Sequence, residues 1–242
     1  MPRLLFLAIF AATLPVRAER MIFAVSTGSA MPMTEFHKEK LHAGLLKDFG
    51  DALARELQMD PVYLSLPRKR VESALLAGQA DLLCDLRPEW LDNPSWSWTG
   101  AVFSNRMIIA SRAETPVVDQ LAQLSGKRIG TILGYRYPDM EAGLGKGFAR
   151  DDAATDELNT GKLLSGRFDY MMSNSLYYDY QRKVHAKGQQ LNPAVFTVRS
   201  FDTYCALPPH GKLEIDKVDR AIAALRKRGQ MQAILDRYRP AR

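Results

Sequence analysis

Four arginines stand near the ends of predicted helices and strands, where a guanidinium group can hold an anion. Arg68 and Arg70 fall in the first turn of a predicted helix, and the free N–H groups of that turn also favour negative charge. Arg87 follows a predicted strand, and Arg136 lies in a turn between two tyrosines. The alternative for each arginine is a solvated surface charge. Together they favour a ligand that carries a carboxylate or another anionic group.

Side chains for metal binding or catalysis form no comparable pattern. The four histidines lack the spacing of metal ligands, and Cys84 and Cys205 are far apart in the sequence. Three carboxylates, Glu89, Glu141 and Asp202, are candidates for general acid–base catalysis, but no motif surrounds them. We therefore expect a binding protein with no metal, no cofactor and no catalytic residue.

A pattern that occurs twice indicates how these side chains are positioned. Residues 75–83 read LLAGQADLL and residues 163–171 read LLSGRFDYM. In each copy a Leu-Leu pair ends an amphipathic helix, Gly78 or Gly166 provides a left-handed turn, and an apolar strand follows an aspartate. Helix–Gly–strand segments are common in α/β proteins, but two copies in the same frame predict two α/β lobes built on parallel strands.

Periodic segments predict the remaining elements. Short apolar runs predict strands over residues 21–26, 62–66, 81–86, 129–133, 194–199 and 204–207. Apolar residues at helical spacing predict amphipathic helices over residues 45–57 and 176–185, and one long helix over residues 216–238. The segment before the first helix is expected to be a polar loop.

The first 18 residues have the order of an export signal. Arg3 gives a basic start, residues 4–14 are apolar but too few to cross a bilayer, and Ala18 offers a cleavage site. The alternative is a buried N-terminal strand or helix. We expect a signal peptide that is cleaved near Ala18 and a mature protein in the periplasm of a bacterium.

The composition is that of an ordinary globular protein. The formal net charge of +6 is mild for 242 residues, and the basic residues are scattered among acidic ones. Nucleic acid is therefore not an expected partner. The chain is long enough to bury the core of one large domain or of two small lobes.

The order of these elements resembles the bacterial extracellular solute-binding proteins of family 3, the amino-acid-type binding proteins of ABC transporters, in an orphan-like branch. The resemblance covers nearly the whole chain after the predicted signal. The segments that carry it are Gly44-x-x-x-Asp48-Phe49-x-x-x-Leu53-x-x-x-Leu57, the two repeats, Leu121-x-x-Leu124-Ser125-Gly126-Lys127-Arg128-Ile129-Gly130, and Met231-Gln232-Ala233-Ile234-Leu235-Asp236-Arg237-Tyr238.

The resemblance implies an α/β protein with the type II periplasmic-binding-protein fold. In this fold two α/β lobes are joined by two crossing strands, and the ligand binds in the central cleft. Residues 19–108 and 203–242 would form lobe 1, and residues 109–202 would form lobe 2. Such a protein closes on its ligand as a hinge and, as a monomer, delivers the ligand to a membrane permease or a sensor protein. A dehydratase-like enzyme on the same scaffold is a further alternative.

The ligand-binding residues implied by the resemblance depart from the family's usual set. Amino-acid-binding members place an arginine after the third strand to clamp the ligand carboxylate, whereas this chain has Trp90 there and Arg87 three residues earlier. Asn174 replaces the carboxylate that holds the ligand amine, and an amide cannot neutralise an ammonium. Arg87 and Arg136 would hold an anionic group from opposite lobes. The expected ligand contacts are Arg68, Arg70, Arg87, Trp90, Tyr135, Arg136, Asn174 and Tyr204.

The resemblance also concerns the two cysteines. It places the returning crossing strand beside the third strand of lobe 1, which would bring Cys205 near Cys84. A disulfide and two free buried thiols are both compatible with that arrangement, because cysteine also packs well as a small apolar side chain.

Overall fold

A computed structural model describes residues 18–91, 95–184 and 189–238, so the predicted signal peptide lies outside the described residues except for Ala18. Within these ranges the chain forms eleven β-strands and seven α-helices. The strands are β1 (Arg20–Ser26), β2 (Glu35–His37), β3 (Lys40–Ala43), β4 (Asp60–Leu66), β5 (Leu82–Leu86), β6 (Ser97–Trp98), β7 (Phe103–Ser111), β8 (Arg128–Ile132), β9 (Ala149–Ala153), β10 (Tyr170–Asn174) and β11 (Phe196–Leu207). The helices are α1 (Leu45–Glu56), α2 (Arg68–Leu76), α3 (Pro138–Leu144), α4 (Asp156–Leu164), α5 (Ser175–Val184), α6 (Ile215–Lys227) and α7 (Gln230–Tyr238).

The strands form two parallel half-sheets that share two long antiparallel strands. The strand order across the molecule is β4-β1-β5-β11-β7-β10-β8-β9, and β6 pairs with β11. In lobe 1, β1 runs parallel to β4 and β5, and in lobe 2, β8 runs parallel to β9 and β10. Strands β7 and β11 pair with each other and cross between the lobes. This topology confirms the expected fold class, two α/β lobes joined by two crossing strands.

Each half-sheet is covered by helices on both faces. Along β1, Phe23 packs with Phe49 of α1, whereas the next residue, Ala24, packs with Val71 of α2, because successive strand residues point to opposite faces. Lobe 2 repeats the arrangement along β7. Met107 and Ile109 pack with Met140 of α3. Ile108 and Ala110, on the other face, pack with Leu163 of α4 and Tyr178 of α5.

The repeated pattern forms the same structure in both lobes. Helix α2 ends at Leu76 and Gly78 follows with a φ of 70°, and helix α4 ends at Leu164 and Gly166 follows with a φ of 75°. Strands β5 and β10 begin a few residues later. The predicted helix–turn–strand units are therefore confirmed.

Three predicted elements differ from the structure. The long C-terminal helix is two helices, because Gly229, with a φ of 72°, breaks the helical path after α6. The two strands expected near the C-terminal end are one continuous strand, β11, which pairs with β7 over its first part and with β5 over its last part. The loop expected before α1 contains the small hairpin of β2 and β3. Across the described ranges, no helix has both the length and the apolar character needed to cross a membrane.

Candidate functional site

A cavity of about 130 Å³ lies between the two lobes. Side chains from both lobes line it, and several of them are polar or charged. Those of lobe 1 include Ser26, Ser29, Arg68 and Asp85, and those of lobe 2 include Tyr135, Arg136, Asp156 and Asn174. The crossing strand β11 contributes Phe201, and β7 contributes Asn105 and Met107. Any molecule in the cavity would therefore touch both lobes and the strands that join them.

Asp85 reaches the cavity because β5 contains a bulge. Leu86 pairs with Tyr204 and Leu83 with Ala206, so β5 has one residue more than β11 in this interval. Asp85 lies in the bulge with a φ of 63°, in the left-handed region that aspartate tolerates better than most residues. Its carboxylate lines the cavity and is hydrogen-bonded by the Thr203 side chain. Burial nevertheless raises the pKa of Asp85 to about 7.

Asp156 faces the same cavity from lobe 2. It is the first residue of α4, and Thr155 caps that helix by accepting a hydrogen bond from the N–H of Leu158 at 3.2 Å. Burial, together with the negative charges of Glu157 and Asp85, raises the pKa of the Asp156 carboxyl to about 7. The two carboxylates from opposite lobes are thus close enough for the charge of Asp85 to disfavour ionisation of Asp156.

Asn174 is fixed in orientation by a network at the start of α5. Its Oδ1 accepts hydrogen bonds from the N–H of Tyr177 at 3.0 Å and from Asn105 Nδ2 at 3.1 Å. Asn105 is itself oriented, because its Oδ1 accepts bonds from the N–H groups of Arg106 and Leu176 and from the Ser175 hydroxyl. The Oδ1 of Asn174 is therefore used by the helix cap, and the Nδ2 donors remain for a molecule in the cavity.

Aromatic side chains form much of the cavity wall. Trp90 meets Phe201 edge to face, with ring centroids 5.7 Å apart. The Tyr135 hydroxyl is hydrogen-bonded to Ser29 of the other lobe, and burial together with the charge of Asp156 raises the pKa of Tyr135 to about 12. Tyr137 is buried and its hydroxyl accepts a hydrogen bond from the N–H of Ile132 at 2.9 Å. The wall therefore combines apolar area with a few fixed polar atoms.

The structure brings five of the eight expected ligand contacts to the cavity. They are Arg68, Trp90, Tyr135, Arg136 and Asn174. Arg70, Arg87 and Tyr204 do not line it. Arg87 instead pairs with Glu89, Nε to Oε1, at 2.5 Å and lies over the Phe201 ring at 5.4 Å from its centroid. Arg87 therefore does not line this cavity together with Arg136, because its side chain contacts Glu89 and Phe201 instead.

Asp85 and Asp156 are the cavity carboxylates that the sequence analysis missed. A signal for Asp85 was present, because a charged residue inside the apolar run LLCDL is rarely buried without a purpose. No local sequence pattern predicts the bulge that directs the Asp85 side chain into the cleft. Asp156 follows Thr155 at a helix start, a pattern that indicates a cap and gives no hint of a cavity.

The two lobes also touch outside the cavity. Arg199 of β11 pairs with Glu89 of lobe 1 at 3.0 Å, and its Nε lies 3.4 Å from Asp139 Oδ2 of α3 in lobe 2. A Cβ added to Gly28 of lobe 1 would lie 3.6 Å from the Ala154 carbonyl of lobe 2. These contacts show that the cleft is closed. The ion pairs of Arg199 link both lobes to the crossing strand β11.

A disulfide lies at the base of the cleft. Cys84 of β5 and Cys205 of β11 are bonded, which decides between the two alternatives left open by the sequence. Cys84 lines the cavity, directly before Asp85. Among the described residues, no group of three or more histidine, cysteine, aspartate or glutamate side chains is arranged to hold a metal ion.

No protein-family model matches the chain, and no curated protein is significantly similar to it in sequence. Solved structures are similar in fold. An ancestral amino-acid-binding protein, AncCDT-1, described as a precursor of cyclohexadienyl dehydratase, superimposes with a TM-score of 0.77 over 91% of this chain and 96% of its own, at 14% identity. This chain has the type II periplasmic-binding-protein fold.

Two further solved structures share this fold. The arginine-, lysine- and histidine-binding protein ArtJ from Geobacillus stearothermophilus has a TM-score of 0.71 at 17% identity, over 91% of this chain and 95% of its own. The GluR0 ligand-binding core in complex with L-glutamate has a TM-score of 0.75 at 14% identity, over 93% of this chain and 100% of its own. At such identities the likeness establishes the fold alone, and the ligand must be inferred from the cavity.

Proposed function

We propose that the protein is a periplasmic solute-binding protein that captures a small polar ligand, an amino acid or a related organic acid, by hinge closure. The observation that carries this proposal is the closed cavity, which is lined by polar side chains of both lobes. A ligand there would contact both lobes at once and would stabilise the closed state over the open one. The amino-acid-binding proteins with the same fold support this reading.

The ligand's anionic group would lie beside Arg68. This arginine begins α2, so the free N–H groups of the first turn add to its positive field. Asn174 Nδ2 would donate a further hydrogen bond from lobe 2, and the edge-to-face pair of Trp90 and Phe201 would cover the apolar part of the ligand. The closed form would then be recognised by the permease of an ABC transporter.

A thermal-shift screen of the purified protein against amino acids, organic acids and amines tests this proposal. A ligand present at one hundred times its dissociation constant adds about 2.7 kcal/mol to the free energy of unfolding. Small-angle scattering with and without the best compound would show a decrease in the radius of gyration on closure. The proposal fails if no small polar compound raises the melting temperature.

Acid–base catalysis is a second candidate function. The observation that favours it is the pair of carboxylates with pKa values of about 7 in one cavity, since such groups can both give and take protons near neutral pH. Incubation of the protein with each stabilising compound, followed by mass spectrometry, distinguishes the two functions. A product formed by the wild-type protein and not by an Asp156→Asn variant would establish catalysis.

A further inference from the structure

Within the part of the chain that the structure describes, no cation acts on the two aspartates of the cavity. The groups that act on the carboxyl of Asp85 or Asp156 include no lysine, arginine or histidine, although Arg68 and Arg136 line the same cavity. Negative charges do act there, since Glu157 and Asp85 both raise the pKa of Asp156. Two ionised carboxylates in one cavity without a cation beside them disfavour closure of an empty cleft.

The positions of the two carboxylates point to a ligand and not to a structural role. Asp85 occupies a bulge with a left-handed backbone, a conformation that costs free energy and that the surrounding sheet must hold in place. Asp156 needs no partner for folding, because Thr155 already caps α4. Since the two residues belong to opposite lobes, only closure brings their carboxylates to one cavity.

We propose that the closed cleft holds a protonated nitrogen of the ligand, an ammonium or guanidinium group, between the carboxylates of Asp85 and Asp156. The proposal rests on the proposed binding function and makes it more specific. In this arrangement the nitrogen supplies the missing counter-charge, and it links lobe 1 to lobe 2 in the closed state.

This site replaces the amine site that the sequence analysis expected to be lost at Asn174. The oxygen of Asn174 is used by the N–H of Tyr177 and by Asn105, so Asn174 offers donors to the cavity and not acceptors. A cationic nitrogen therefore has to seek its acceptors elsewhere in the cavity. Asp85 and Asp156 are the carboxylates that line it.

The groups around Asp156 determine how the pKa of its carboxyl responds to a bound cation. Glu157 lies beside it on α4, and Asp85 acts on it from β5. Tyr135 and Tyr137 lie near it on the β8–α3 connection, and Tyr177 lies near it on α5. Arg68 and Arg136 line the same cavity, and the charge of Arg68 acts on Tyr135. Because burial and like charges hold the pKa of Asp156 near 7, a cationic ligand should displace protons when it binds below that pH.

Isothermal titration calorimetry with compounds that share one carbon chain tests the proposal. Putrescine, 4-aminobutyrate and succinate carry two, one and no protonated nitrogens on four carbons, and agmatine and L-arginine add a guanidinium group. We expect at least one nitrogen-bearing compound to bind and succinate to bind more weakly or not at all. Titrations at pH 6 in buffers of different ionisation enthalpy should show proton release on binding.

Substitutions identify the residues responsible. Asp85→Asn keeps an oxygen for Thr203 and a side chain that tolerates the left-handed backbone, and Asp156→Asn leaves the Thr155 cap intact. Each variant should bind the best nitrogen-bearing compound about ten- to one-hundred-fold more weakly. Asp119→Asn is the matched control, because it removes an exposed negative charge of lobe 2 that does not line the cavity and does not act on Asp85 or Asp156, and its affinity should stay within about twofold of the wild-type value.

The outcomes separate this proposal from the proposed function. Binding of succinate or other nitrogen-free acids alone, or nitrogen-bearing compounds bound equally well by both asparagine variants, would overturn the proposal and leave the binding function standing. Failure of every compound, charged or neutral, to bind at millimolar concentration would overturn both. The melting temperature of each ligand-free variant verifies that a lost affinity does not come from unfolding.

Discussion

The carboxyl groups of Asp85 and Asp156 should make the stability of the ligand-free protein depend on pH. Their pKa values are about 7 in the folded protein against an ordinary value of 3.8, so the folded protein binds more protons than the unfolded chain between these values. Stability from these groups is therefore fully present below pH 3.8, is lost progressively as the pH rises to about 7, and changes no further above that.

Melting curves of the wild-type protein and of Asp156→Asn between pH 5 and pH 8 test this prediction. The stability of the variant relative to that of the wild-type protein should increase from pH 5 to about pH 7 and should level off above it. Asp119→Asn, which changes an exposed carboxylate away from the cavity, should show no growing margin. A wild-type protein that gains stability over Asp156→Asn as the pH rises would show that the cavity stabilises the charged carboxylate.

Asn174 should contribute to stability through its oxygen. Replacement by alanine removes the cap of α5 and leaves the buried amide of Asn105 without its acceptor, for an expected loss of about 1 kcal/mol or more in the free energy of unfolding. Asn174→Asp keeps an oxygen at the same place and puts negative charge at a helix start, so it should be much less destabilising. Equal losses in urea unfolding of both variants would contradict the assigned orientation.

The functional residues were only partly predictable from the sequence. Arg68, Tyr135 and Asn174 could be placed because element ends of a known fold lead to the cleft. Asp85 could not be placed, because the orientation of its side chain depends on one extra residue in β5 relative to β11. No local sequence pattern predicts that bulge. The position of Arg87 depends on Glu89 and Phe201, which meet it only in the folded protein.

At the level of elements, helix α4 and strand β8 give a direct test of packing in lobe 2. A Cβ on Gly130 of β8 would lie 2.3 Å from the Phe168 ring and 2.4 Å from Asn159 Oδ1. Gly130→Ala should therefore lower the free energy of unfolding by about 1–3 kcal/mol. The contrasting change is Gly161→Ala inside α4, where nothing lies within 4 Å of the added methyl group, and it should stabilise by about 0.5–1 kcal/mol.

Urea unfolding of the two alanine variants measures both effects. The opposite signs are the essential result, because both substitutions add one methyl group to lobe 2. A neutral Gly130→Ala variant would mean that Phe168 moves aside without cost, and a destabilised Gly161→Ala variant would mean that α4 is not a regular helix there.

The elements themselves were largely predictable where local chemistry decides them. The Leu-Leu-x-Gly frame defined the ends of α2 and α4 and the strands after them, since a left-handed glycine must follow each helix. The C-terminal helix was predicted as one piece because its apolar spacing continues through Gly229, and only the packing of α6 and α7 on α1 reveals the break. The single strand β11 was divided because polar residues, Ser200, Asp202 and Thr203, interrupt its apolar pattern where it pairs with β7 between the lobes.

For the whole molecule, the contacts of Arg199 should favour the closed state. Arg199 pairs with Glu89 of lobe 1 and approaches Asp139 of lobe 2, so it links both lobes to β11. Partly exposed ion pairs contribute about 0.2–1 kcal/mol, so Arg199→Ala should weaken ligand affinity by up to about fivefold and increase the radius of gyration of the ligand-free protein.

Arg167→Ala is the matched control for this prediction. It breaks an ion pair with Asp151 at 2.8 Å that lies entirely within lobe 2. It should leave affinity and radius of gyration unchanged. High salt should reduce the difference between Arg199→Ala and the wild-type protein, since screening weakens the pair in the latter. An affinity that responds equally to both substitutions would show that net charge, and not the link between lobes, is responsible.

The disulfide between Cys84 and Cys205 has a mechanical consequence. The bonded cysteines are 121 residues apart, and all of β8, β9 and β10 with α3, α4 and α5 lie between them. A tensile force applied to the two chain ends passes from β5 to β11 through the sulfur atoms, so lobe 2 bears no load while the bond is intact. Reduction would place that lobe in the path of the force and would release roughly 400 Å of additional contour length. Under oxidising conditions, stretching the molecule by its ends would thus unfold lobe 1 alone. Lobe 2 would stay folded, because it lies in a closed loop that bears no force.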